Sequence, residues 1–264
     1  MKAVICKNMK KPDTEIVSLI LKTLHGFGIE AVFSDTARED CDVVITVGGD
    51  GTILHHGKAA ARLGKPLLGI NTGRLGFMTS LEVHRLDELK RLKENYSVCS
   101  RMMLDVEIGG EKHLALNDAV FYKDVSSKLP EFEVSVKGIV VSEIRADGLI
   151  LSTPTGSTAY ALSAGGPIIE PWLDCIEFTP LCPHSLFGRP MILSAMHPVT
   201  VEFEGTPDNH AVFVSIDGEQ GIEFKKGERA IISKSALRLS LIDLVPHGRG
   251  FYDKVHNKLM KPLK

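Results

Sequence analysis

A glycine-rich turn that carries one carboxylate is the first feature that could do chemistry. The letters V-G-G-D-G-T occupy residues 47–52, between a β-branched run and an Ala-rich helical segment. Glycines after a strand let backbone N–H groups approach an anion, and the following helix adds its positive N-terminal end. A carboxylate there suits a hydroxyl that attacks phosphate, or a neighbouring divalent cation. We therefore predict phosphoryl chemistry at Asp50; the alternative is a tight turn with Asp50 as helix N-cap.

A hydroxyl-rich segment is the second candidate. Residues 145–167 read R-A-D-G-L-I-L-S-T-P-T-G-S-T-A-Y-A-L-S-A-G-G-P. Pro154 and Gly156 predict a turn, and Ser157 or Thr158 is expected to cap the helix that follows. Such a helix start suits nucleotide edges and phosphates, although a capped helix in a β domain explains the segment equally well.

A second glycine turn, N-T-G-R-L-G at residues 71–76, follows another strand-like run. It could line the same crevice as the first turn, because ligands of open α/β sheets bind beyond the carboxyl ends of strands. Arg74 is then a phosphate partner, or else a solvated loop residue. The sequence has no G-x-x-x-x-G-K-[ST] and no G-x-G-x-x-G after the first strand, which excludes a P-loop and a standard hydride-transfer site.

The elements that must position these turns alternate in the first part of the chain. Apolar runs at 3–6, 30–33, 42–47 and 67–70 read as strands, and helical periodicity covers 16–24, 53–63 and 86–92. This order predicts a Rossmann-like parallel sheet in an α/β domain, residues 1–97, which carries the first turn.

Short Val- and Ile-rich segments separated by polar turns follow, and helical patterning is mostly absent. They predict an all-β, antiparallel, sandwich-like domain at residues 98–242. Residues 243–264 are expected to return and pack on the first domain.

Composition limits the partners. Thirty-one basic and 33 acidic residues give a net charge of −2, so a cationic nucleic-acid surface is not expected. No apolar run approaches the roughly 20 residues of a membrane span. The five cysteines are scattered and never in a C-x-x-C pair, which favours reduced thiols, a cytoplasmic location and no metal site.

Taken together, these motifs resemble the NAD kinase family in its compact bacterial form. The resemblance rests on G-G-D-G-T, N-T-G-x-L-G-F, N-D at Asn117 and Asp118, and A-D-G-L-I-L-S-T-P-T-G-S-T-A-Y. It is supported by T-P-L-C-P-H-S-L at 179–186, R-P at 189–190 and D-G-E at 217–219. It implies transfer of the γ-phosphoryl group of ATP to the 2′-hydroxyl of the adenosine ribose of NAD, which gives NADP.

The resemblance also implies roles for individual residues. Asp50 is the expected base or hydroxyl acceptor. The expected phosphate and ATP contacts are Gly48, Gly49, Gly51, Thr52 and Arg74. The expected NAD contacts, which make the second domain NAD-binding, are Asn117, Asp118, Arg145, Asp147, Thr158, Ala159, Tyr160 and Ser163, with Tyr160 stacking on the adenine. The chain departs from the family in Asp118, where Glu is expected, and in Glu219, where Gln is frequent.

Cofactors and assembly follow from the same resemblance. The family implies Mg²⁺ or Mn²⁺ with ATP, inorganic polyphosphate as a further donor in some members, and a homodimer or homotetramer. Two alternatives share the first motif: a lipid kinase of the diacylglycerol type and a non-catalytic nucleotide-binding relative. The segment 145–160 argues against the first, and the presence of Asp50 argues against the second.

Overall fold

A computed structural model describes residues 1–7, 14–73, 76–185, 188–207, 210–244 and 250–260. The helices are α1 Thr14–Gly26, α2 Asp50–Arg62, α3 Arg91–Glu94, α4 Tyr160–Ser163 and α5 Phe251–Val255, with 3₁₀ segments at Val83–Lys90 and Gly156–Thr158 and a π-helical turn at His256–Met260. The strands are β1 Lys2–Lys7, β2 Glu30–Phe33, β3 Val43–Val47, β4 Leu67–Asn71, β5 Leu81–Glu82, β6 Ser97–Ile108, β7 Glu111–Ala115, β8 Asp118–Lys123, β9 Glu131–Val136, β10 Ile139–Arg145, β11 Gly148–Ser152, β12 Cys175–Leu181, β13 Met191–Ser194, β14 Val199–Gly205, β15 Val212–Ile216, β16 Ile222–Phe224 and β17 Arg229–Asp243.

The chain divides into two compact units. The first contains Met1–Arg101 and Arg238–Lys264, and the second contains Met102–Leu237. The boundaries expected from sequence, 97 and 242, follow the change from alternating helices and strands to short strands alone, near the start of β6 and the end of β17. The two units of the structure divide inside these long strands, at 101–102 and 237–238. The residue pattern does not change within a continuous strand, so the sequence does not indicate these positions.

The first unit contains the expected parallel sheet. Strands β1 to β4 lie side by side in the order β2-β1-β3-β4, all parallel. Every residue of β3 and β4 is buried, as expected for strands covered on both faces. Register pairs Val47 with Ile70, so the turns that follow β3 and β4 leave the same edge of the sheet.

A glycine in β4 brings helix α2 close to this sheet. A Cβ at Gly69 would overlap Ile53 Cδ1 and crowd Thr79. Ile53 is fully buried, so the side chain that anchors α2 occupies the space that Gly69 leaves open. The first turn of α2, which carries Asp50, is held over β4 in this way.

Two predicted helices differ from the structure in their details. Helix α2 begins at Asp50, three residues before the predicted start, so the carboxylate belongs to the helix itself. The predicted helix 86–92 is a 3₁₀ segment followed by the short α3. Arg85 has non-helical φ and ψ angles inside that segment, and this interrupts a continuous α-helix.

The second unit has the predicted all-β architecture. Strands β8, β11, β12, β13, β15 and β16 form an antiparallel sheet in the order β13-β12-β11-β8-β15-β16, and β9, β10 and β14 belong to a second sheet. The two sheets share one apolar core. Phe121 of β8 lies at its centre, with ring centroids 6.4 Å from Phe132 and 5.3 Å from Phe224.

We expect Phe121→Ala to lower the free energy of unfolding of the second unit by about 3–5 kcal/mol, because it leaves a cavity among buried aromatic rings. Urea denaturation followed by circular dichroism measures the loss. Val125→Ala is the control, since Val125 is 96% exposed and a surface change is worth about 0.5 kcal/mol or less. Equal losses for the two variants would contradict this assignment of the core.

Candidate active site

The turn after β3 requires glycine at its first position. Gly48 has φ +148°, and a Cβ there would overlap Thr52 Oγ1. Its N–H donates to the carbonyl of Ile70 at 2.9 Å, which ties the turn to the end of β4. Gly49 is the N-cap residue of α2, and Gly51 and Thr52 lie in the helix's first turn. The predicted phosphate residues of this motif therefore surround the N-terminus of α2, where backbone N–H groups favour an anion.

Asp50 is held by backbone amides of a distant segment. The Phe77 N–H donates to Asp50 Oδ2 at 2.7 Å, and the Met78 N–H donates to Oδ1 at 3.0 Å. A Cβ at Gly76 would overlap Asp50 Oδ1, so a glycine is needed for the carboxylate to reach these amides. The alternative role of Asp50 as N-cap is wrong: Gly49 occupies that position and α2 has no side-chain cap hydrogen bond.

The second glycine turn is described in part. Asn71 Nδ2 donates to the Gly73 carbonyl at 2.7 Å, and the Gly76 N–H donates to Thr79 Oγ1 at 3.0 Å. Arg74 lies outside the described residues, so its expected phosphate contact stays a prediction.

Two cations of the first unit interact electrostatically with Asp50. Lys254 Nζ of α5 donates to the carbonyls of Phe77 and Thr79, both at 3.0 Å. Burial lowers the pKa of Lys254 and Arg101 lowers it further, whereas Asp50 and Asp243 raise it. Burial likewise lowers the pKa of Arg101, and Cys99 and Asp50 oppose that shift.

The Asn117–Asp118 pair of the second unit is organised by Asp217. One Asp217 carboxylate oxygen accepts the Leu116 N–H at 2.9 Å, and the other accepts those of Asn117 and Asp118 at 2.7 and 3.2 Å. Asn117 and Asp118 are both buried, and Asn117 Oδ1 has no hydrogen-bond partner among the described residues. A buried amide oxygen without a partner is costly, which marks it as a candidate ligand contact.

The hydroxyl-rich segment packs directly on this pair. A Cβ at Gly156 would overlap the Asn117 carbonyl, so Gly156 allows the two backbones to touch. That carbonyl accepts the Thr153 N–H at 2.8 Å, and Thr153 Oγ1 donates to the Leu116 carbonyl at 2.6 Å. The structure therefore brings the N-D pair and the 152–160 segment together.

The expected capping of the following helix is wrong. Ala159 is the N-cap residue of α4 and makes no side-chain cap bond. Ser157 Oγ donates to the Pro154 carbonyl at 2.7 Å and Thr158 Oγ1 to that of Thr155 at 3.2 Å, because a 3₁₀ turn occupies this stretch. Tyr160 is 49% exposed, so its ring is accessible to a base. Ser163, at the end of α4, is exposed as well.

Arg145 and Asp147 lie at the junction of β10 and β11. Their described ion-pair partners are other residues than Asn117, Asp118 and the hydroxyl-rich segment. Arg145 ends β10, and its guanidinium pairs with Glu131 Oε2 at 3.1 Å. Asp147 Oδ1 lies 3.7 Å from Lys123 Nζ. The side chain of Arg145 is exposed and that of Asp147 is half-buried, and their roles in dinucleotide binding stay predictions.

Sequence reasoning missed three parts of this arrangement. Asp217 entered only as part of the D-G-E pattern, although its positive φ of 52° is typical of an Asp in a tight turn. The amides of Phe77 and Met78 are backbone groups, so the types of these two residues do not indicate that they bind a carboxylate. Lys254 stands in a basic terminal segment, and nothing in its type or spacing distinguishes it from a solvated lysine.

A buried acid lies beneath α4. Glu177 of β12 is fully buried; its Oε1 accepts a bond from Thr179 Oγ1 at 2.8 Å, and its Oε2 has no partner among the described residues. Burial raises the pKa of Glu177 to about 7, and the Thr179 bond opposes this. A Cβ at Gly166 would overlap Glu177 Oε1, so the acid supports the turn that ends α4.

The described residues contain neither a cluster of metal-ligand side chains nor a helix suited to span a membrane. No group of three or more His, Cys, Asp or Glu side chains in those ranges could hold a metal ion. Among the same residues, no helix combines the length and apolarity needed to cross a membrane.

Family models match most of the chain. Residues 4–95 match the ATP-NAD kinase N-terminal domain, and residues 116–244 match the ATP-NAD kinase C-terminal domain. The chain is 38% identical over 232 residues to the NAD kinase of Geotalea daltonii, which covers 85% of the chain and 80% of that protein. It is 33% identical over 271 residues to the NAD kinase of Desulforamulus reducens, covering 96% of the chain and 93% of that protein.

Two solved structures are similar. The NAD kinase from Archaeoglobus fulgidus in complex with ATP aligns with a TM-score of 0.80 at 28% identity, covering 96% of each chain. Yeast NADH kinase complexed with NADH aligns with a TM-score of 0.85 over 100% of this chain and 89% of that one. At 22% identity the second similarity shows the fold alone.

We expect Gly76→Ala to displace the Asp50 carboxylate, because the new methyl group would occupy the position of Oδ1. The amides of Phe77 and Met78 then lose their acceptor, which costs about 1–3 kcal/mol for each buried group. Urea denaturation measures the loss. The control is Gly26→Ala, which meets nothing within 4 Å; if Gly76→Ala were as stable as this control, the close packing of Gly76 on Asp50 would be refuted.

We expect the wild-type protein to lose stability as pH rises from about 4.5 to about 7. The pKa of Glu177 is near its ordinary value of 4.5 in the unfolded chain and about 7 in the folded protein. The unfolded state therefore releases its proton at lower pH than the folded state, which lowers the unfolding free energy by about 3–4 kcal/mol at 1.4 kcal/mol per pKa unit.

Glu177→Gln should remove this loss and unfold at higher urea concentration than wild type at pH 8, since an amide never ionises. Glu143→Gln, at an exposed position of β10, is the matched control and should follow wild type at each pH. If the unfolding free energy of Glu177→Gln fell between pH 4.5 and pH 7 as steeply as that of wild type, the raised pKa of Glu177 would be refuted.

Proposed function

The chain belongs to the ATP-NAD kinase family, and we propose that it transfers the γ-phosphoryl group of ATP to the 2′-hydroxyl of the adenosine ribose of NAD, giving NADP. The observation that carries the proposal is Asp50 itself. Its carboxylate stands at the N-terminus of α2, within the glycine turn, and both oxygens are oriented by the amides of Phe77 and Met78.

Positioning and charge neutralisation are the main requirements of phosphoryl transfer. In the proposed reaction Asp50 accepts a hydrogen bond from the 2′-hydroxyl and takes its proton as the new P–O bond forms. The bond between the γ-phosphorus and the β,γ-bridging oxygen of ATP breaks, and ADP leaves. Each carboxylate oxygen has more than one lone pair, so the two amide bonds leave capacity for the hydroxyl. Gly48, Gly49, Gly51 and Thr52 are proposed to line the phosphate site at the N-terminus of α2. The N–H groups of Gly48 and Thr52 already donate to the carbonyls of Ile70 and Gly49, so the proposed N–H contacts to ATP phosphates are those of Gly49 and Gly51.

The second unit would hold the nucleoside. Asn117 Oδ1, buried and without a partner among the described residues, can accept a bond from a ribose hydroxyl. Asp118 is one methylene shorter than the family's Glu, and its backbone N–H and carbonyl are both bonded to Asp217. Thr158, Ala159, Tyr160 and Ser163 are proposed to surround the adenine, with the exposed ring of Tyr160 stacked on it.

The residues present fit a divalent cation that arrives with ATP. Mg²⁺ is usually bound through one or two carboxylates together with substrate phosphates, and Asp50 supplies one carboxylate at the phosphate turn. When bound, Mg²⁺ or Mn²⁺ would neutralise charge on the triphosphate.

Three finer properties belong to the same proposal: use of polyphosphate as a second donor, assembly into a homodimer or homotetramer, and a cytoplasmic location. The assembly is supported by exposed apolar side chains at Ile139, Val140 and Val141 on β10, the strand that ends at Arg145. The location is supported by five free cysteines, which suit a reducing compartment. Light scattering measures the assembly.

The test incubates purified protein with NAD, ATP and Mg²⁺ and detects NADP with an NADP-specific dehydrogenase. Parallel reactions with NADH or polyphosphate define the acceptor and donor. Formation of NADP supports the proposal, and binding of NAD and ATP without NADP would favour the non-catalytic alternative.

Asp50→Asn should bind NAD as tightly as wild type and lose most of its turnover, by about a hundredfold or more for a missing proton acceptor. The binding is measured by calorimetry and the turnover by NADP formation. Asp87→Asn, which changes an exposed carboxylate of the first unit, is the matched control and should keep normal turnover. Near-normal turnover in Asp50→Asn would refute the role of Asp50.

A further inference from the structure

The loop that binds Asp50 is also bound by the C-terminal segment. Lys254 Nζ donates to the carbonyls of Phe77 and Thr79 at 3.0 Å each. Lys258 Nζ, one helical turn later, lies 4.5 Å from the centroid of the Phe77 ring, within cation–π range. Two lysines of one short segment therefore contact Phe77 and Thr79. These residues flank Met78, and the amides of Phe77 and Met78 orient the carboxylate.

One peptide group joins Lys254 to Asp50. The carbonyl of Phe77 and the N–H of Met78 belong to the same planar peptide unit and point in opposite directions. The carbonyl accepts from Lys254 Nζ, and the N–H donates to Asp50 Oδ1. Hydrogen bonds in such a chain polarise one another, so a cation at the carbonyl strengthens the bond that the N–H makes.

We propose that Lys254 is a positioning residue for Asp50: through the Phe77–Met78 peptide it holds and polarises the amide that orients the carboxylate. The effect of Lys254 on catalysis rests on the proposed function. The contacts of Lys254 with the loop do not depend on that function. Lys254 acts from the side of the loop opposite to Asp50 and contributes to kcat without contacting the nucleotides.

The electrostatic surroundings are consistent with this role. The charged groups that interact with Lys254 are Arg101 and Lys258, which disfavour its positive charge, and Asp50 and Asp243, which favour it. A lysine that served only to fill space could be replaced here by an apolar side chain of similar length, because a partly buried charge is expensive to keep.

Lys254→Met separates the charge from the packing. We expect kcat for NADP formation to fall about tenfold, equivalent to about 1.4 kcal/mol, while KM for NAD and for ATP changes less than about twofold. Amide hydrogen exchange of Met78 should accelerate by about tenfold, because its peptide loses an anchor. Lys254→Gln, which keeps a donor but no charge, should also lower kcat and serves if the methionine variant does not fold.

Lys93→Met is the matched control. Lys93 Nζ also donates to a backbone carbonyl of the first unit, that of Phe27 at 3.3 Å, and among the described residues this acceptor lies far in sequence from residues 76–79. The control should keep wild-type kcat and Met78 exchange. A folded Lys254→Met or Lys254→Gln protein with wild-type kcat, or with wild-type Met78 exchange, would overturn the inference.

The two proposals fail in different ways. If the wild-type protein forms no NADP, the proposed function fails and Met78 exchange in the Lys254 variants still decides whether the lysine holds the loop. If the wild-type protein forms NADP and the Lys254 variants do so equally well, the proposed function stands and the inference about Lys254 fails.

Discussion

The bond between the Asp50 carboxylate and the amides of Phe77 and Met78 is the interaction on which the candidate site depends. It joins the start of α2 to a segment that follows β4, and it needs parallel strands β3 and β4 with their carboxyl ends side by side. Gly48 and Gly76 are required for the same reason, since a side chain at either would occupy space that Thr52 or Asp50 fills. The glycines of the two motifs therefore serve close packing within the protein as well as an approaching phosphate.

Much of the fold followed from sequence because its signals are local. The β-branched run at 42–47 and the order of strands and helices were enough to predict a parallel sheet, and the short Val- and Ile-rich segments predicted the β-rich unit. Helix α2 was predicted to begin three residues late, because glycine has a low helix propensity. In the structure the packing of Ile53 on Gly69 holds the start of the helix against β4.

The site was predictable where side-chain type carries the chemistry. Asp50 and the Asn117–Asp118 pair stand out by type and spacing. The backbone amides of Phe77 and Met78 orient the Asp50 carboxylate. Every residue except proline has a backbone N–H, so residue type does not indicate which amides act in this way. Asp217 is a further case: its two oxygens bond three consecutive amides that lie about a hundred positions away, and only the folded sheet brings them together. The near-neutral net charge is equally uninformative, because the cations that interact with Asp50 are few and local.

The contact between Lys254 and residues 77–79 has a consequence for the synthesis of the protein. Phe77 and Lys254 are 177 positions apart, so the ribosome makes the sheet and the Asp50 turn long before the lysine. Domains begin to fold during synthesis in N-to-C order, and the early α/β residues therefore fold with one loop still lacking its cation. The loop that orients the Asp50 carboxylate therefore gains its lysine anchor only after residue 254 has left the ribosome.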